Sequence, residues 1–212
     1  DVAENNGMIE QEAWLCQRSD GHYEIDLDAF RAAVDEHTRM FLLCNPHNPV
    51  GRVFTPAELS GMAEICLRSR MVICSDEIHC DLVFSGQQHT PLATLDSEIA
   101  ANTITLMAPS KTFNIPGLKC AFAIIQNPDL RKRFQKARRG LVGDVNLMGY
   151  QAALAAYKYG DEWLAELLVY LEANRDYLYD TIQRNFSGVS MIKPEGTYLA
   201  WLDCREAGIE GN

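Results

Sequence analysis

The sequence contains no apolar run approaching the roughly 20 residues that a bilayer-spanning helix needs; Met40–Cys44 is typical of its apolar stretches. Its start carries no secretory h-region, so a soluble, cytoplasmic chain is expected, with no membrane partner. Positive charge is scarce: 19 Lys+Arg stand against 29 Asp+Glu, a net charge of −10. That balance argues against nucleic acid or an anionic membrane as a partner, and the short basic stretch Arg131–Arg139 reads as a solvated helix face. There is no CxxC pair among the seven cysteines at 16, 44, 66, 74, 80, 120 and 204. Zinc spacing is therefore absent and a disulfide framework is not expected in a chain of this size; the cysteines read as free thiols in a reducing compartment, with no metal site. Cys44, Cys66, Cys74 and Cys120 sit in apolar stretches, where a reduced thiol acts as a small hydrophobe. Internal repeats and low-complexity segments are also lacking.

What remains is 212 residues with 47% hydrophobic and 23% charged side chains, enough for one large domain or one domain plus part of another. Short apolar runs at Glu12–Cys16, Arg39–Cys44, Met71–Ser75, Thr103–Met107 and Cys120–Gln126 read as strands, with a turn at Ser19–Gly21. Helical spacing puts Leu27, Phe30 and Val34 on one face, and Thr55-Pro56-Ala57-Glu58 combines an N-cap, a Pro at the first helical position and a capping Glu. That helix should run to about Arg68. Nearly continuous apolar strands alternating with amphipathic helices predict an α/β layer with a mostly parallel sheet. After Pro128 the pattern turns helical: Asp129–Arg139, Asn146–Tyr159, and one long helix over Asp161–Phe186 with Trp163, Leu164, Leu167, Leu168, Leu171 and Leu178 as its apolar face. Such a helix could bridge two domains. Strands at Gly188–Ile192 and Thr197–Leu202 follow, too few for a stable unit alone, so the second unit reads as cut short.

Ligands of parallel sheets bind beyond the carboxyl ends of strands, and four polar constellations stand there: Asn45–Gly51 (NPHNPVG), Ser75–His79 (SDEIH), Ala108–Asn114 (APSKTFN) and Gly117–Lys119 (GLK). Singly, the first is a rigid loop, Asp76 a turn or cap residue and Lys111 a surface lysine. Together they suit pyridoxal phosphate (PLP). Lys111 beside Phe113, Ile115 and Pro116 would be a desolvated, nucleophilic amine for the cofactor aldehyde. Asp76 would keep the pyridine nitrogen protonated, the Asn48 amide would donate to the ring oxygen, and Lys119 and Ser110 would hold the phosphate.

These stretches resemble the aspartate-aminotransferase-fold superfamily of PLP enzymes (class I/II), and within it the cystathionine (cysteine-S-conjugate) β-lyases of the MalY/PatB kind. The resemblance is carried by NPHNPVGRVFTPAEL (45–59), SDEIHCDLVF (75–84), APSKTFNIPGL (108–118) and PEGTYLAWLD (194–203), and continues through YKYGDEWL (157–164) and YLEANRDYL (170–178). It implies a three-layer α/β large domain with a mostly parallel sheet, of which residues 1–158 would be the central part. Residues 159–186 would be the interdomain helix and 187–212 the start of a truncated C-terminal small domain, making the chain an internal fragment. The implied activity is a PLP-dependent carbon–sulfur β-lyase that releases thiol, pyruvate and ammonia from a small amino-acid substrate. The alternatives are a class I/II aminotransferase, or a catalytically incomplete or non-catalytic chain of the same fold.

Carried across residue by residue, Lys111 would be the Schiff-base lysine and general base, Asp76 the partner of the ring nitrogen and Asn48 that of the ring oxygen. His79 stands where many relatives have a Tyr that approaches the ring oxygen. Ala108 replaces a frequent phosphate-binding Ser, leaving Ser110 as the hydroxyl, and Lys119 replaces a frequent Arg, keeping the charge without the bidentate fork. The resemblance also implies a homodimer, a phosphate-binding segment before residue 1 and a substrate-carboxylate arginine beyond Asn212. His22, His37 and His89 read as loop or surface residues, His47 as shaping its loop, and Tyr198 and Trp201 as core.

Overall fold

The structure, a computed structural model, describes residues 2–208. After a short helix α1 (Val2–Asn5), strands β1 (Leu15–Gln17) and β2 (Tyr23–Ile25) form an antiparallel hairpin around Gly21, whose positive φ of 84° closes the turn. The expected first strand is thus displaced toward its turn, and β2 adds a strand that the apolar pattern does not announce. Helix α2 (Leu27–Ala33) starts at Asp26, whose carboxylate accepts from Asp28 N and Ala29 N, and buries Phe30.

The central layer is a four-stranded sheet of β3 (Met40–Cys44), β4 (Val72–Asp76), β5 (Thr103–Met107) and β6 (Phe122–Ile124), in that order. β3, β4 and β5 are parallel and β6 is antiparallel, so the fold is the mostly parallel α/β layer expected. The crossover from β3 to β4 is helix α3 (Pro56–Arg68), opened by the complete Thr55–Glu58 capping box. α3 sets Leu59, Met62 and Ile65 against Leu43 and Ile73 of the sheet. Each such side chain stabilises the fold by about 1.5–3 kcal/mol relative to exposure. α4 (Ser97–Ala101) and a 3-10 turn at Leu92–Thr94 lead into β5 and extend the same core through Leu92 and Ile99.

Register fixes which side chains share a face. Cys44, Asp76, Leu106 and Ala123 are lateral neighbours on one face, while Leu43, Ser75, Thr105 and Ile124 line the other, the one α3 covers. The strands end together: Cys44 pairs with Asp76, and Met107, closing β5, pairs with Phe122, opening β6. The segments after β3, β4 and β5 and the one before β6 therefore emerge along a single edge.

Helices α5 (Pro128–Arg138), α6 (Leu147–Tyr159) and α7 (Asp161–Asn185) follow. α5 has no buried residue, as a solvated basic face should. Gly160 joins α6 to α7; a Cβ there would lie 2.4 Å from Phe113 Cε1, so the glycine admits that ring against the junction. The remaining strands, β7 (Ser190–Met191) and β8 (Leu202–Asp203), are a single short antiparallel pair. Thr197–Leu202 is not the strand expected: Tyr198 and Trp201 are exposed, not core. The physical reason is that the backbone of 195–197 is engaged elsewhere, as described below. Among the described residues no helix is long and apolar enough to cross a membrane, and no cluster of side chains could hold a metal ion.

Candidate active site

Asp76 ends β4 with its carboxylate on the sheet face opposite α3. Its Oδ1 accepts from Ile78 N at 3.1 Å, which turns the chain and sets His79 beside the strand end. His79 is buried, and its Nδ1 has no hydrogen-bond partner. Burial, then the Lys111 ammonium, hold this imidazole below its usual range, while the Asp76 carboxylate pulls it back up. An amine from one strand end and a carboxylate from another therefore act on one buried ring.

Lys111 itself is exposed, so the desolvation expected from its apolar neighbours is not present. Phe113 has turned away to pack against Tyr157 and Trp163, with ring centroids 5.8 Å apart in each case. What fixes the lysine's turn is polar. Thr112, fully buried, donates to Asp81 Oδ2 at 3.1 Å, Phe113 N donates to Pro109 O, and Ile115 N to Ser110 O. Asp81 thus ties the lysine turn to the segment after Asp76. Ser110 is half-buried within the turn. Lys119 is exposed in a left-handed conformation (φ 50°) after the 3-10 turn Pro116–Leu118, and neither it nor Lys111 has an ion-pair partner among the described residues.

Asn48 is exposed at the tip of a tightly tied loop. Asn45 N donates to Asp76 O, His47 N to Arg52 O and Gly51 N to His47 O. The peptide bonds before Pro46 and Pro49 are cis. Gly51 has φ 72°, and a Cβ there would fall 2.3 Å from Pro194 Cβ. That close approach lets Glu195 N and Gly196 N both donate to Gly51 O, while Thr197 N donates to Leu82 O. The segment 194–197 is clamped between two site loops, and Tyr198 meets His79 edge-on at 5.5 Å.

Below this loop lies Arg52, a buried guanidinium that sequence reasoning missed. It grips Glu58 through both carboxylate oxygens at 2.7 and 2.9 Å, pairs with Glu195 Oε2 at 3.3 Å, donates to Tyr23 O at 2.8 Å and contacts His22. Glu195 Oε2 also accepts from Val53 N at 2.7 Å. His47 packs edge-on against Phe54, shaping its loop as expected. His89, by contrast, is not a surface residue: its side chain is buried against Glu77. The signal that could have found it is the Glu next to Asp76 in an apolar setting, since a buried carboxylate requires a partner.

Burial raises the thiols of Cys44, Cys66, Cys74 and Cys80, which disfavours their thiolates. All seven cysteines are free, and burial, then Asp81, push the Cys80 thiol up to about 12. A cavity of about 650 Å³ lies on the α3 side of the sheet, lined by Glu77, Asp81, His89, Thr105, Met107 and Ile124, and does not include Asp76 or Lys111.

The described geometry brings Asp76, His79 and Lys111 together, with Asn48, Ser110 and Lys119 on loops of the same sheet edge. Comparison with known proteins places the chain in a family. The model of the family "Aminotransferase class I and II" matches residues 10–209. The cystathionine beta-lyase PatB of Bacillus subtilis is 38% identical over 192 residues, covering 90% of this chain and 50% of the relative. The crystal structure of OvoB superposes with a TM-score of 0.94 at 42% identity, covering 98% of this chain and 55% of that one. Cystalysin from Treponema denticola, whose structure contains a pyridoxal 5'-phosphate cofactor, gives 0.93 at 37% identity, covering 96% and 52%. The chain spans about half the length of the curated relatives it matches, and it belongs to the class I and II aminotransferase family.

Proposed function

We propose that the chain forms the lysine- and aspartate-bearing part of a PLP-dependent carbon–sulfur β-lyase acting on cystathionine or cysteine S-conjugates. The observation that carries this reading is the convergence of the Lys111 amine and the Asp76 carboxylate on buried His79 at the carboxyl edge of a parallel sheet. The donor set fits the cofactor: two lysine amines without an ion-pair partner among the described residues, a carboxylate, an exposed amide and a hydroxyl, with the orphaned His79 Nδ1 beside them.

Lys111 would hold the cofactor covalently, Asp76 its ring nitrogen, Asn48 its ring oxygen, and Ser110 and Lys119 its phosphate. His79 would stand beside the ring, its Nδ1 available to a polar atom there. When bound, the cofactor supplies an electron sink for the charge left on the amino acid's α-carbon. Asp76, anchored by Ile78 N, keeps the proton on the ring nitrogen that makes this sink effective. Lys111 Nζ would take the proton from the substrate's α-carbon. The overall reaction would consume one water and release thiol, pyruvate and ammonia.

The choice of lyase is supported by likeness to PatB and to cystalysin. The second reading, transamination, has its support in the family as a whole, and would use the same residues. A cytoplasmic homodimer is part of the proposal, supported by seven free cysteines and by the exposed apolar side chains of α6. The deciding experiment supplies cystathionine to the PLP-loaded protein without any keto acid. Pyruvate release at a steady rate is expected; strict dependence on a keto-acid acceptor would replace the lyase with the aminotransferase.

A further inference from the structure

Behind Asp76, on the α3 side of the sheet, a line of buried polar groups connects the asparagine loop to the aspartate strand, and the chemistry above uses none of them. Phe54 N donates to Asn45 Oδ1 at 3.0 Å. Asn45 Nδ2 lies 3.5 Å from His89 Nδ1, and His89 Nε2 lies 2.9 Å from Glu77 Oε2. Glu77 Oε1 accepts from Leu92 N at 3.1 Å and from Ser75 Oγ at 2.9 Å. Asn45 and Glu77 are 1% exposed and Ser75 0%, and the His89 side chain is 8% exposed. At such depth each group depends on its partners.

These bonds allow one placement of protons. The Phe54 amide can only donate, so the Asn45 oxygen faces it and the Asn45 NH2 faces His89. His89 Nδ1 must then accept, which leaves the ring proton on Nε2, donated to Glu77. Glu77 accepts at both oxygens, as a carboxylate does. The substitution Glu77→Gln breaks this pattern in either orientation of the new amide. Its NH2 opposes the His89 Nε2–H in one and the Leu92 N–H in the other. Relief requires moving the ring proton to Nδ1, where it meets the Asn45 NH2. A change beside Asp76 is thereby passed through one imidazole to the residue three before Asn48.

We propose that Glu77, His89 and Asn45 form a tautomer-locked relay of positioning residues that holds the Asp76 strand end and the Asn48 loop in register with each other. The direct bond from Asn45 N to Asp76 O, at 3.0 Å, marks the same junction on the backbone. The relay rests on the reading of Asp76 and Asn48 as contacts of the PLP ring, and its test separates the two claims.

The protein, in its longest reading frame, is prepared as Glu77→Gln and as the double variant Asn45→Asp/Glu77→Gln. The second reverses every bond of the relay: the carboxylate introduced at position 45 accepts from His89 Nδ1–H, and His89 Nε2 accepts from the amide introduced at position 77. Two readouts are taken, the PLP dissociation constant from absorbance titration of the apo protein, and the His89 tautomer from imidazole 15N shifts. Glu77→Gln is expected to weaken PLP binding about tenfold or more, since a buried donor is left opposed. The double variant should return to within about threefold of the parent, with the ring proton moved to Nδ1. Unchanged binding in Glu77→Gln, or a double variant no better than the single one in affinity or soluble yield, would overturn the relay. A parent protein that takes up no PLP would overturn the reading of the site instead. The tautomers then decide the relay alone: Nε2–H in the parent and Nδ1–H in the double variant sustain it, and any other pair refutes it.

Discussion

α3, α6 and α7 are all rich in apolar side chains but use them differently, and α5 is polar almost throughout. α3 buries Leu59, Met62, Ala63, Ile65 and Cys66, whereas α5 buries nothing, α6 only Gly149 and α7 only Ile182. Leu147, Met148, Tyr150 and Leu154 of α6 are exposed. Polar groups follow the same division. The sheet half holds a buried ionic cluster around Arg52 and a buried hydrogen-bonded cluster around Glu77, while α5 and α7 carry exposed charges paired mostly within their own helices. The candidate chemistry sits wholly on the half with its own core. A site group is only as precise as what fixes its backbone, and here strand ends, buried ion pairs and the 194–197 clamp do so.

This contrast can be broken or sharpened by substitution. The largest effect belongs to Lys111→Ala, which should lower turnover of the PLP-loaded protein by about 10³-fold or more, since it removes the proton-transferring amine; steady-state kinetics measures it. Next, Leu59→Ala in α3 should cost about 2–5 kcal/mol by denaturant unfolding, while Leu154→Ala on α6 should stay within about 0.5 kcal/mol. A cost at Leu154 matching that at Leu59 would mean that another surface covers α6. A smaller loss is expected for Asn48→Ala, one exposed hydrogen bond, weakening PLP binding by roughly three- to tenfold in a titration.

The mildest effect is on pH. His79 and His47 are both held below the usual 6.5 by burial first, then by the positive charge of Lys111 and Arg52 respectively. A group whose folded value is lowered contributes its stability above its unfolded value, and that contribution fades as pH falls toward the folded one. Stability should therefore be flat above about 6.5 from these groups and decline below it. His79→Gln should flatten part of that decline in melts run from about pH 7.5 to about pH 5.5.

Local rules made much of this fold legible. The Thr55–Glu58 capping box starts α3 where its residues demand, Thr103–Met107 is the apolar run it reads as, and α7 begins at Asp161 as its pattern predicts. The gathering of Asp76, Lys111 and the asparagine loop at one edge followed from their places after apolar strands. Long-range pairing was not legible. Glu195 and Arg52 are far apart in the chain, and nothing local announces that they meet. His89 sits in the polar run Gln87-Gln88-His89, which reads as surface, yet Glu77 buries it. Thr197–Leu202 alternates like a strand, but Thr197 has φ 68° and its N–H goes to Leu82 O, so the backbone cannot pair as a sheet there. Lys111 reads as desolvated because the neighbours in sequence are apolar; in space Phe113 leaves it for α6 and α7.

The central claim is that Lys111 is the residue that holds PLP. Borohydride reduction of the PLP-loaded protein, followed by proteolysis and mass spectrometry, tests it most directly. One stable pyridoxyl label is expected, on Lys111. A label on Lys119 or another lysine, or no label in protein that has taken up the cofactor, would contradict it.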